Sequence, residues 1–202
     1  QAQLVRDHLK ASLDYQAKLA RFLENHDEPR AAASFPWEVH QAAAAITYLT
    51  PGLRFFHQGQ LEGRRKRISP HLVRGPDEPC DEAIAAFYSQ LFNALRTPIV
   101  REGDWSLLDC TPAWDGNDTH DCFIVFAWRG ANGATRIVAV NFAAHQSQCH
   151  ARLPFADLAG RTWRIQDQLR DAHYDWRGED LLGKGLYLDM PAWQACVYDL
   201  IG

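Results

Sequence analysis

The chain has 202 residues, of which 47% are hydrophobic and 11% aromatic, and its formal net charge is −4 at pH 7. This length allows one large or two small domains, and the composition is that of a globular protein with a substantial core. The charge balance lacks the basic footprint that nucleic acid or an anionic membrane requires, and no apolar run approaches the roughly 20 residues of a membrane span. We therefore predict neither partner.

The amino terminus and the cysteines bear on processing and location. The sequence begins with Gln1, and its sole methionine is Met190, so we expect a fragment or a processed product. The five cysteines are scattered, odd in number and without metal-type spacing. They favour free core thiols and a cytoplasmic location, while a bond between Cys110 and Cys122 in an exported protein is the alternative.

The first part of the chain predicts alternating helices and short strands. Leucines at helical separations predict an amphipathic helix over 3–17, which leads into a strand at 19–23. A second helix over 34–49 follows, with Ser34 as its cap, and a Pro-Gly turn separates it from a strand at 53–57. Strand, helix and strand with short joints predict a parallel unit.

The composition changes near Gly103. Before it, Asp81 begins a predicted helix with one apolar face, which ends at Thr97-Pro98. After it, short apolar runs alternate with turn residues, and Asn132-Gly133 is a strong hairpin signal. We predict an antiparallel sandwich with strands at 105–110, 122–129, 135–142, 147–153, 162–167, 186–190 and 194–200.

A dense polar cluster, Glu24-Asn25-His26-Asp27-Glu28-Pro29-Arg30, follows the first predicted strand. Titratable groups between a strand and a helix suit a functional site at the carboxyl end of the strand. The structural alternatives are that Asp27 caps the next helix and that His26 is satisfied at the strand end. Arg30 can equally well pair with Glu28 or Asp27.

Two segments carry a resemblance to a known family. Phe22-Leu23-Glu24-Asn25-His26-Asp27, with Pro29-Arg30 after it, resembles the last short motif of the alpha-amylase family, glycoside hydrolase family 13. The segment 51–63, with its Pro-Gly turn, Phe55-Phe56 pair and later glycines, resembles that family's eighth barrel strand. His57 and Gln60 depart from the pattern, since these places are more often aromatic and acidic. Both can still border one cleft, because neighbouring parallel strands end on the same face.

The resemblance implies an α+β chain in two parts. Residues 1–103 would form the C-terminal βα units of a (β/α)8 TIM barrel, and 104–202 would form the β-sandwich domain that commonly follows that barrel. Its upstream strands would carry the nucleophile, in a Gly-x-Arg-x-Asp pattern, and the general acid. That pattern does not occur here, so we expect the isolated fragment to be inactive.

The resemblance also assigns roles to single residues. Asp27 matches the carboxylate that stabilises the transition state, and His26 matches an imidazole that binds the same sugar. We predict that Asn25, Arg30 and His57 also bind substrate. We predict no metal site and no cofactor in this chain, although the full-length enzyme could hold calcium.

These inferences predict part of a retaining glycoside hydrolase or transglycosylase, with the choice between water and sugar acceptors left open. The partners would be an α-glucan or oligosaccharide substrate and the missing N-terminal part of the barrel, and the fragment could self-associate through exposed strand edges. One alternative is a non-catalytic carbohydrate-binding or scaffold protein, for which Trp114 is the exposed candidate. Another is an α/β hydrolase using Glu24, His26 and Asp27, which the missing nucleophile elbow disfavours. The basic run 64–67 is interpreted as a solvated loop.

Overall fold

The computed structural model describes residues 2–69 and 71–202, and it has an α+β architecture in which most helices precede most strands. The helices are α1 (Ala2–Leu9), α2 (Leu13–Ala17), α3 (Ala31–Ser34), α4 (Trp37–Leu49), α5 (Glu82–Leu95), α6 (Ile99–Glu102) and α7 (Gly178–Gly183). The strands are β1 (Ala20–Arg21), β2 (Leu53–Arg54), β3 (Asp104–Leu108), β4 (Cys110–Pro112), β5 (Phe123–Arg129), β6 (Thr135–Asn141), β7 (Ser147–Ala151), β8 (Thr162–Asp167), β9 (Ala172–Arg177), β10 (Leu186–Met190) and β11 (Ala195–Ile201). Short 3-10 helices span Asp118–Cys122 and Ala156–Leu158.

The amino-terminal helix is interrupted. The predicted single helix over 3–17 is two helices, α1 and α2, because the hydroxyl oxygen of Ser12 caps the second one. It accepts a hydrogen bond from the backbone N–H of Tyr15 at 3.4 Å. Serine is a favoured N-cap residue because its hydroxyl can accept a hydrogen bond from a free backbone N–H. A second helix therefore starts at this point, although the leucine spacing alone predicted one continuous helix.

Strands β1 and β2 form the parallel pair that the sequence predicts, with Ala20 opposite Leu53 and Arg21 opposite Arg54. Both are shorter than predicted, because the chain leaves the strand pairing after Arg21 and Arg54. Within the described residues each strand has one neighbour, so each keeps a free edge. Leu53 is 70% exposed on this small sheet, which is unusual for a parallel strand.

The start of α4 differs from its prediction. Ser34 is the last residue of α3, and Pro36 occupies the N-cap of α4 without a side-chain hydrogen bond. Pro36 has no N–H, so it loses nothing at a helix start. The alanine-rich helix α4 ends at Leu49, as predicted. In the sequence it lies between the two parallel strands, β1 and β2.

Helix α5 begins as the sequence predicts. The side chain of Asp81 accepts a hydrogen bond from the N–H of Ile84 at 3.3 Å, which caps the helix. Its apolar stripe is largely buried, with Ile84, Phe87, Tyr88, Leu91, Ala94 and Leu95 in the core. This stripe holds α5 against α4 and the residues that follow β2.

The second part of the chain is made of two antiparallel sheets. One has six strands in the order β3-β5-β6-β11-β8-β9, and the other has three in the order β10-β7-β4. The predicted Asn132-Gly133 hairpin joins β5 to β6, and Gly133 has the positive φ of 81° that favours glycine. The sequence missed β9, an edge strand with mostly exposed side chains, and it merged β3 with β4.

Two apolar clusters flank the six-stranded sheet, which explains the continuous apolar run of β5. Phe123 and Val125 face the cluster between the two sheets, whereas Ile124 and Phe126 face the cluster formed with the helices. The indole N–H of Trp128 donates a hydrogen bond to the backbone carbonyl of Leu49, the last residue of α4, at 2.7 Å. The helical part therefore packs directly on the outer face of this sheet.

The cysteines follow their prediction in part, and Trp114 is exposed as expected. All five cysteines are free thiols, and Cys149 and Cys196 are buried. Trp105, Trp128 and Trp163 are core residues, and Trp114 is 55% exposed on its loop. Across the described residues no helix has the length and apolarity to cross a membrane.

Candidate functional site

Two polar loops meet at the carboxyl ends of β1 and β2. Because the strands are parallel neighbours, the residues after Arg21 and those after Arg54 emerge at the same edge of the sheet. A cavity of about 400 Å³ lies there, lined in part by His26, Arg30 and His57. Three of the predicted site residues therefore share one cavity.

A buried ion pair anchors this region. Glu24 is 1% exposed and Arg30 is 4% exposed, and Nη1 of the arginine lies 2.5 Å from Oε1 of the glutamate. The same Nη1 lies 2.8 Å from the carbonyl oxygen of Gln58 and 2.9 Å from Nδ1 of His57. The expected pairing of Arg30 with Glu28 or Asp27 is therefore wrong, since the buried carboxylate is closer.

Glu24 also takes the capping role that was considered for Asp27. Its Oε2 accepts a hydrogen bond from the backbone N–H of Ala31 at 2.7 Å, at the start of α3. A carboxylate at a helix amino terminus satisfies an N–H that would otherwise lack a partner. The side chain of Asp27 therefore does not cap α3.

Asn25 shapes the turn that presents the next two residues. Its Oδ1 accepts hydrogen bonds from the backbone N–H groups of Asp27 and Glu28, at 2.8 and 2.9 Å. The side chain of Asp27 is 73% exposed, and its Oδ2 lies 3.2 Å from Nε2 of His26. Asn25 is thus a structural residue of the turn, while His26 and Asp27 project from it beside the cavity.

A buried polar network supports the two loops from below. Nε2 of Gln60 donates to the hydroxyl oxygens of Tyr48 and Tyr88, at 2.7 and 2.8 Å, and the N–H of Leu23 donates to the Tyr48 oxygen. Burial raises the pKa of Tyr48 to about 12, so this hydroxyl stays neutral and keeps its proton. For Gln60 the sequence allowed either a place at the cleft or a packed one, and it is packed in this network.

The basic run after β2 packs on the site loop. Nε of Arg67 donates to the carbonyl of His26 at 3.2 Å, and Nε of Arg30 donates to that of Lys66 at 3.3 Å. Arg64 lines the cavity, and its buried Nε has no hydrogen-bond partner among the described residues. The interpretation of this run as a solvated loop is wrong for Arg64, and local sequence carries no signal for contacts that join such distant positions.

Glu78 holds this basic segment in place. Its carboxylate accepts hydrogen bonds from the backbone N–H groups of Arg65 and Lys66, at 2.9 and 3.2 Å. These bonds, with the one from Arg65 contributing most, hold the pKa of the Glu78 carboxyl below its usual range. The segment that follows Arg64 is therefore held by hydrogen bonds from its backbone to the side chain of Glu78.

The arrangement suits recognition of a polyhydroxylated ligand. The imidazoles of His26 and His57 and the guanidinium groups of Arg30 and Arg64 line the cavity. The exposed carboxylate of Asp27 lies beside His26, and groups of these kinds can exchange hydrogen bonds with sugar hydroxyls. Retaining glycoside hydrolysis needs two carboxyl groups about 5 to 5.5 Å apart, and this cavity is not lined by such a pair. In residues 2–69 and 71–202 no group of three or more His, Cys, Asp or Glu side chains is placed to hold a metal ion.

Comparison with known proteins adds a fold relationship. No protein-family model matches the sequence, and no curated protein matches it. The α-amylase of Geobacillus thermoleovorans, solved in complex with acarbose, is similar with a TM-score of 0.69 and 19% identity, over 94% of this chain and 42% of that one. The α-amylase of Lactobacillus plantarum gives 0.67 and 16%, over 98% and 41%. Trehalose-6-phosphate hydrolase of Bacillus licheniformis gives 0.63 and 13%, over 100% and 46%.

The fold is that of the carboxyl-terminal part of α-amylases and related glycoside hydrolases. This chain spans less than half the length of each of the three structures. The resemblance expected from the two sequence motifs is thereby confirmed at the level of fold.

Proposed function

We propose that this chain is the carboxyl-terminal part of an α-amylase-like retaining glycoside hydrolase or transglycosylase that acts on α-glucans. The observation that carries the proposal is the gathering of His26, Arg30 and His57 around one cavity at the carboxyl ends of two parallel strands. Active sites of barrel enzymes lie at that end of their strands. The fold likeness to glycoside hydrolases supports the reaction class.

In this proposal Asp27 stabilises the positive charge that develops on the sugar at the transition state. Its carboxylate is exposed and lies beside His26, which would donate to hydroxyls of the same sugar. Arg30, His57 and Arg64 would complete the wall around the ligand. The nucleophile and the general acid would come from barrel strands outside these 202 residues.

The free edges of β1 and β2 fit the last two strands of such a barrel. Besides Leu53, the rings of Phe22 and Phe55 are exposed on the loops that leave these strands, edge to face with centroids 6.3 Å apart. Exposed apolar side chains beside unpaired strand edges call for a covering partner. The missing part of the barrel would supply it, and an isolated chain would self-associate there.

We place the boundary between the barrel part, 1–103, and the sandwich domain, 104–202, at Gly103. A side chain here would bring its Cβ to 2.5 Å from the carbonyl oxygen of Ile99 and 2.7 Å from that of Arg129. Only glycine allows the helix end and the sheet to approach this closely. The free thiols are compatible with our proposal of a cytoplasmic location.

A non-catalytic carbohydrate-binding or scaffold protein is the second candidate. The specific observation in its favour is the exposed indole of Trp114, on a loop held by a hydrogen bond from the N–H of Asn117 to its carbonyl. Exposed aromatic rings can stack on sugar rings without any catalysis. In that case the polar cavity would have no catalytic role.

The test uses the full-length protein and maltooligosaccharides of defined length. Release of shorter products, or their transfer to a sugar acceptor, is the expected result, and Asp27→Asn should abolish it while the protein still binds maltoheptaose. A full-length protein that binds maltoheptaose but forms no product would favour the second candidate. A protein that neither binds nor converts it would refute both.

A further inference from the structure

The cavity at the carboxyl ends of β1 and β2 has an unbalanced charge. Its lining includes two guanidinium groups and two imidazoles, those of Arg30, Arg64, His26 and His57, and none of the described residues that line it carries a carboxylate. The chain as a whole has a net charge of −4, so composition does not account for this concentration of basic groups. Neutral sugar hydroxyls do not require such a wall, because amides and carboxylates bind them as well. The basic lining therefore indicates an anionic ligand.

Arg30 is almost completely buried and yet keeps one guanidinium nitrogen for a ligand. Its Nη1 donates to Glu24 and to the carbonyl of Gln58, and its Nε donates to the carbonyl of Lys66. Its Nη2 makes no hydrogen bond within residues 2–69 and 71–202, and it is not one of the buried atoms that lack a partner. Because the residue is only 4% exposed and lines the cavity, Nη2 is an open donor on the cavity wall.

Gly59 allows the two arginine side chains to approach each other. A Cβ at this position would lie 2.6 Å from Cδ of Arg64 and 3.1 Å from Nη2 of Arg30, and the φ of 87° also favours glycine. Glu24 balances the charge of Arg30, whereas no carboxylate of the described chain lies within 4 Å of the Arg64 guanidinium. Two like charges held this close repel each other, and an anion bound between them would relieve the repulsion.

His57 adds a third group to the same wall. Its Nδ1 faces the ion pair, 2.9 Å from Nη1 of Arg30 and 3.4 Å from Oε1 of Glu24. Its Nε2 is therefore the ring nitrogen left for a ligand, and the side chain is 24% exposed where it lines the cavity. The buried ion pair thus fixes both the guanidinium of Arg30 and the imidazole of His57.

We infer that this cavity binds a phosphate group, and that the substrate of the proposed enzyme is an α-linked oligosaccharide that carries a phosphate ester. Such an ester has three acceptor oxygens and a charge of about −1.5 to −2 at pH 7, which suits two guanidinium groups and an imidazole. A carboxylate has fewer oxygens and a single charge, so it would leave one of these groups unused.

The size of the cavity is compatible with this ligand. Its volume of about 400 Å³ lies within the roughly 300 to 1,000 Å³ of small-molecule sites, so a phosphate and part of a sugar fit together. The sugar part of the inference rests on the proposed function. The phosphate part rests on the charge and geometry of the cavity alone.

The first experiment is calorimetry on the full-length protein, with glucose 6-phosphate, glucose 1-phosphate, glucose and inorganic phosphate as separate probes. At least one ester should bind about tenfold or more tightly than glucose and than inorganic phosphate. Arg64→Gln should weaken the binding of that ester by at least about tenfold. Arg65→Gln is the matched control: the same substitution at the adjacent residue, whose side chain lines a different cavity, should leave the affinity unchanged.

Three results would overturn the inference. Neither ester could bind more tightly than glucose, or inorganic phosphate could bind as tightly as both esters, which would make this a site for the free ion. Equal effects of Arg64→Gln and Arg65→Gln would also overturn it. The comparison among probes uses the unaltered protein, so it does not depend on the folding of a variant.

Turnover separates this inference from the proposed function. Maltotriose with a phosphate in the position that bound should be converted with a kcat/KM at least about tenfold above that of maltotriose, and Arg64→Gln should remove the preference. Conversion of maltotriose without any preference for the ester would refute the inference and leave the proposed enzyme standing. Ester binding without conversion of either compound would uphold the phosphate site and refute the proposed enzyme.

Discussion

Arg30 and Glu24 form a buried ion pair, with Nη1 2.5 Å from Oε1 and both side chains almost completely inaccessible to solvent. The pair joins the loop after β1 to the start of α3, where Oε2 of Glu24 holds the N–H of Ala31. A buried pair of this kind costs desolvation energy, and what it gives in return is a single geometry for the loop. The turn that carries His26 and Asp27 lies within this clamp.

The first prediction concerns the charge of Glu24. Glu24→Gln leaves the guanidinium of Arg30 buried without its counter-charge, so the free energy of unfolding should fall by about 3–5 kcal/mol. Urea denaturation of the chain measures this loss. Glu28→Gln removes an exposed carboxylate from the same loop and should change stability by less than about 0.5 kcal/mol. Equal effects of the two substitutions would mean that the buried pair does not clamp the loop.

The second prediction concerns Asp27 in the full-length protein. Asp27→Asn keeps the shape of the side chain and removes its charge, so kcat on maltooligosaccharides should fall by about 10²–10³-fold or more. Stability should not change, because the side chain is exposed and its contact is with the exposed His26. The adjacent Glu28→Gln serves as a control and should keep most of the activity. Comparable turnover of Asp27→Asn and the wild type would remove Asp27 from the proposed mechanism.

Local signals were sufficient for much of the fold. The parallel pairing of β1 with β2 follows from strand, helix and strand with short joints, and the hairpin at Asn132-Gly133 follows from turn chemistry. The cap of α5 at Asp81 is likewise local. These features depend on residues that are close together in the chain, where propensity and hydrogen bonding act directly.

The parts that could not be predicted depend on distant contacts. Glu24 and Asp27 are both acidic residues ahead of a helix, and only burial decides which one caps it. The contact of Arg67 with the carbonyl of His26 joins positions on two separate loops. Strand β9 was missed because it lies at a sheet edge with mostly exposed side chains. Its aromatic residues Tyr174 and Trp176 are separated by polar ones, so its sequence contains no apolar run that would predict a strand.

The third prediction concerns the connection between the helical part and the sandwich. The guanidinium of Arg136, on β6, makes two bonds to the carboxylate of Asp199, at 2.6 and 2.7 Å, and its Nη1 also donates to the carbonyl of Ala94 at 2.6 Å. Arg136→Met leaves the carboxylate of Asp199 without its donor, whereas the carbonyl of Ala94 still accepts a hydrogen bond from the hydroxyl of Thr97 at 2.6 Å. We expect a loss of about 1.5–3 kcal/mol in the free energy of unfolding, because the carboxylate of Asp199 loses both charge-assisted bonds but is itself 27% exposed.

An exposed ion pair offers the comparison for Arg136. Arg164 lies 3.3 Å from Asp175 on the neighbouring strands β8 and β9, and both side chains are more than half exposed. Arg164→Met should therefore cost no more than about 1 kcal/mol in the same urea titration. If Arg136→Met cost as little, the bond network at the end of α5 would contribute nothing to holding the two parts together.

The last prediction is a dependence of stability on pH through His40. This side chain is buried in α4, with Nε2 2.8 Å from the hydroxyl oxygen of Tyr88, and burial lowers its pKa; Glu24 opposes the shift and Arg65 adds to it. The pKa of His40 is lower in the folded state than the value of about 6.5 expected in the unfolded chain. At pH values between these two pKa values, the unfolded chain therefore binds more protons than the folded one. The contribution of His40 is therefore fully present above about pH 6.5 and is lost as the pH falls below it.

The measurement is the free energy of unfolding in urea at several pH values between about 7.5 and 5.5, a range that spans the ordinary titration of histidine. His40→Gln removes the titrating ring, so its stability should fall less steeply on acidification than that of the wild type. His173→Gln alters an exposed histidine on β9 and should keep the wild-type slope. If the imidazole of His40 were not a source of acid sensitivity, the wild type and His40→Gln would show parallel pH profiles. The loss of stability would then have to come from another group, such as His150, whose pKa is also lowered by burial.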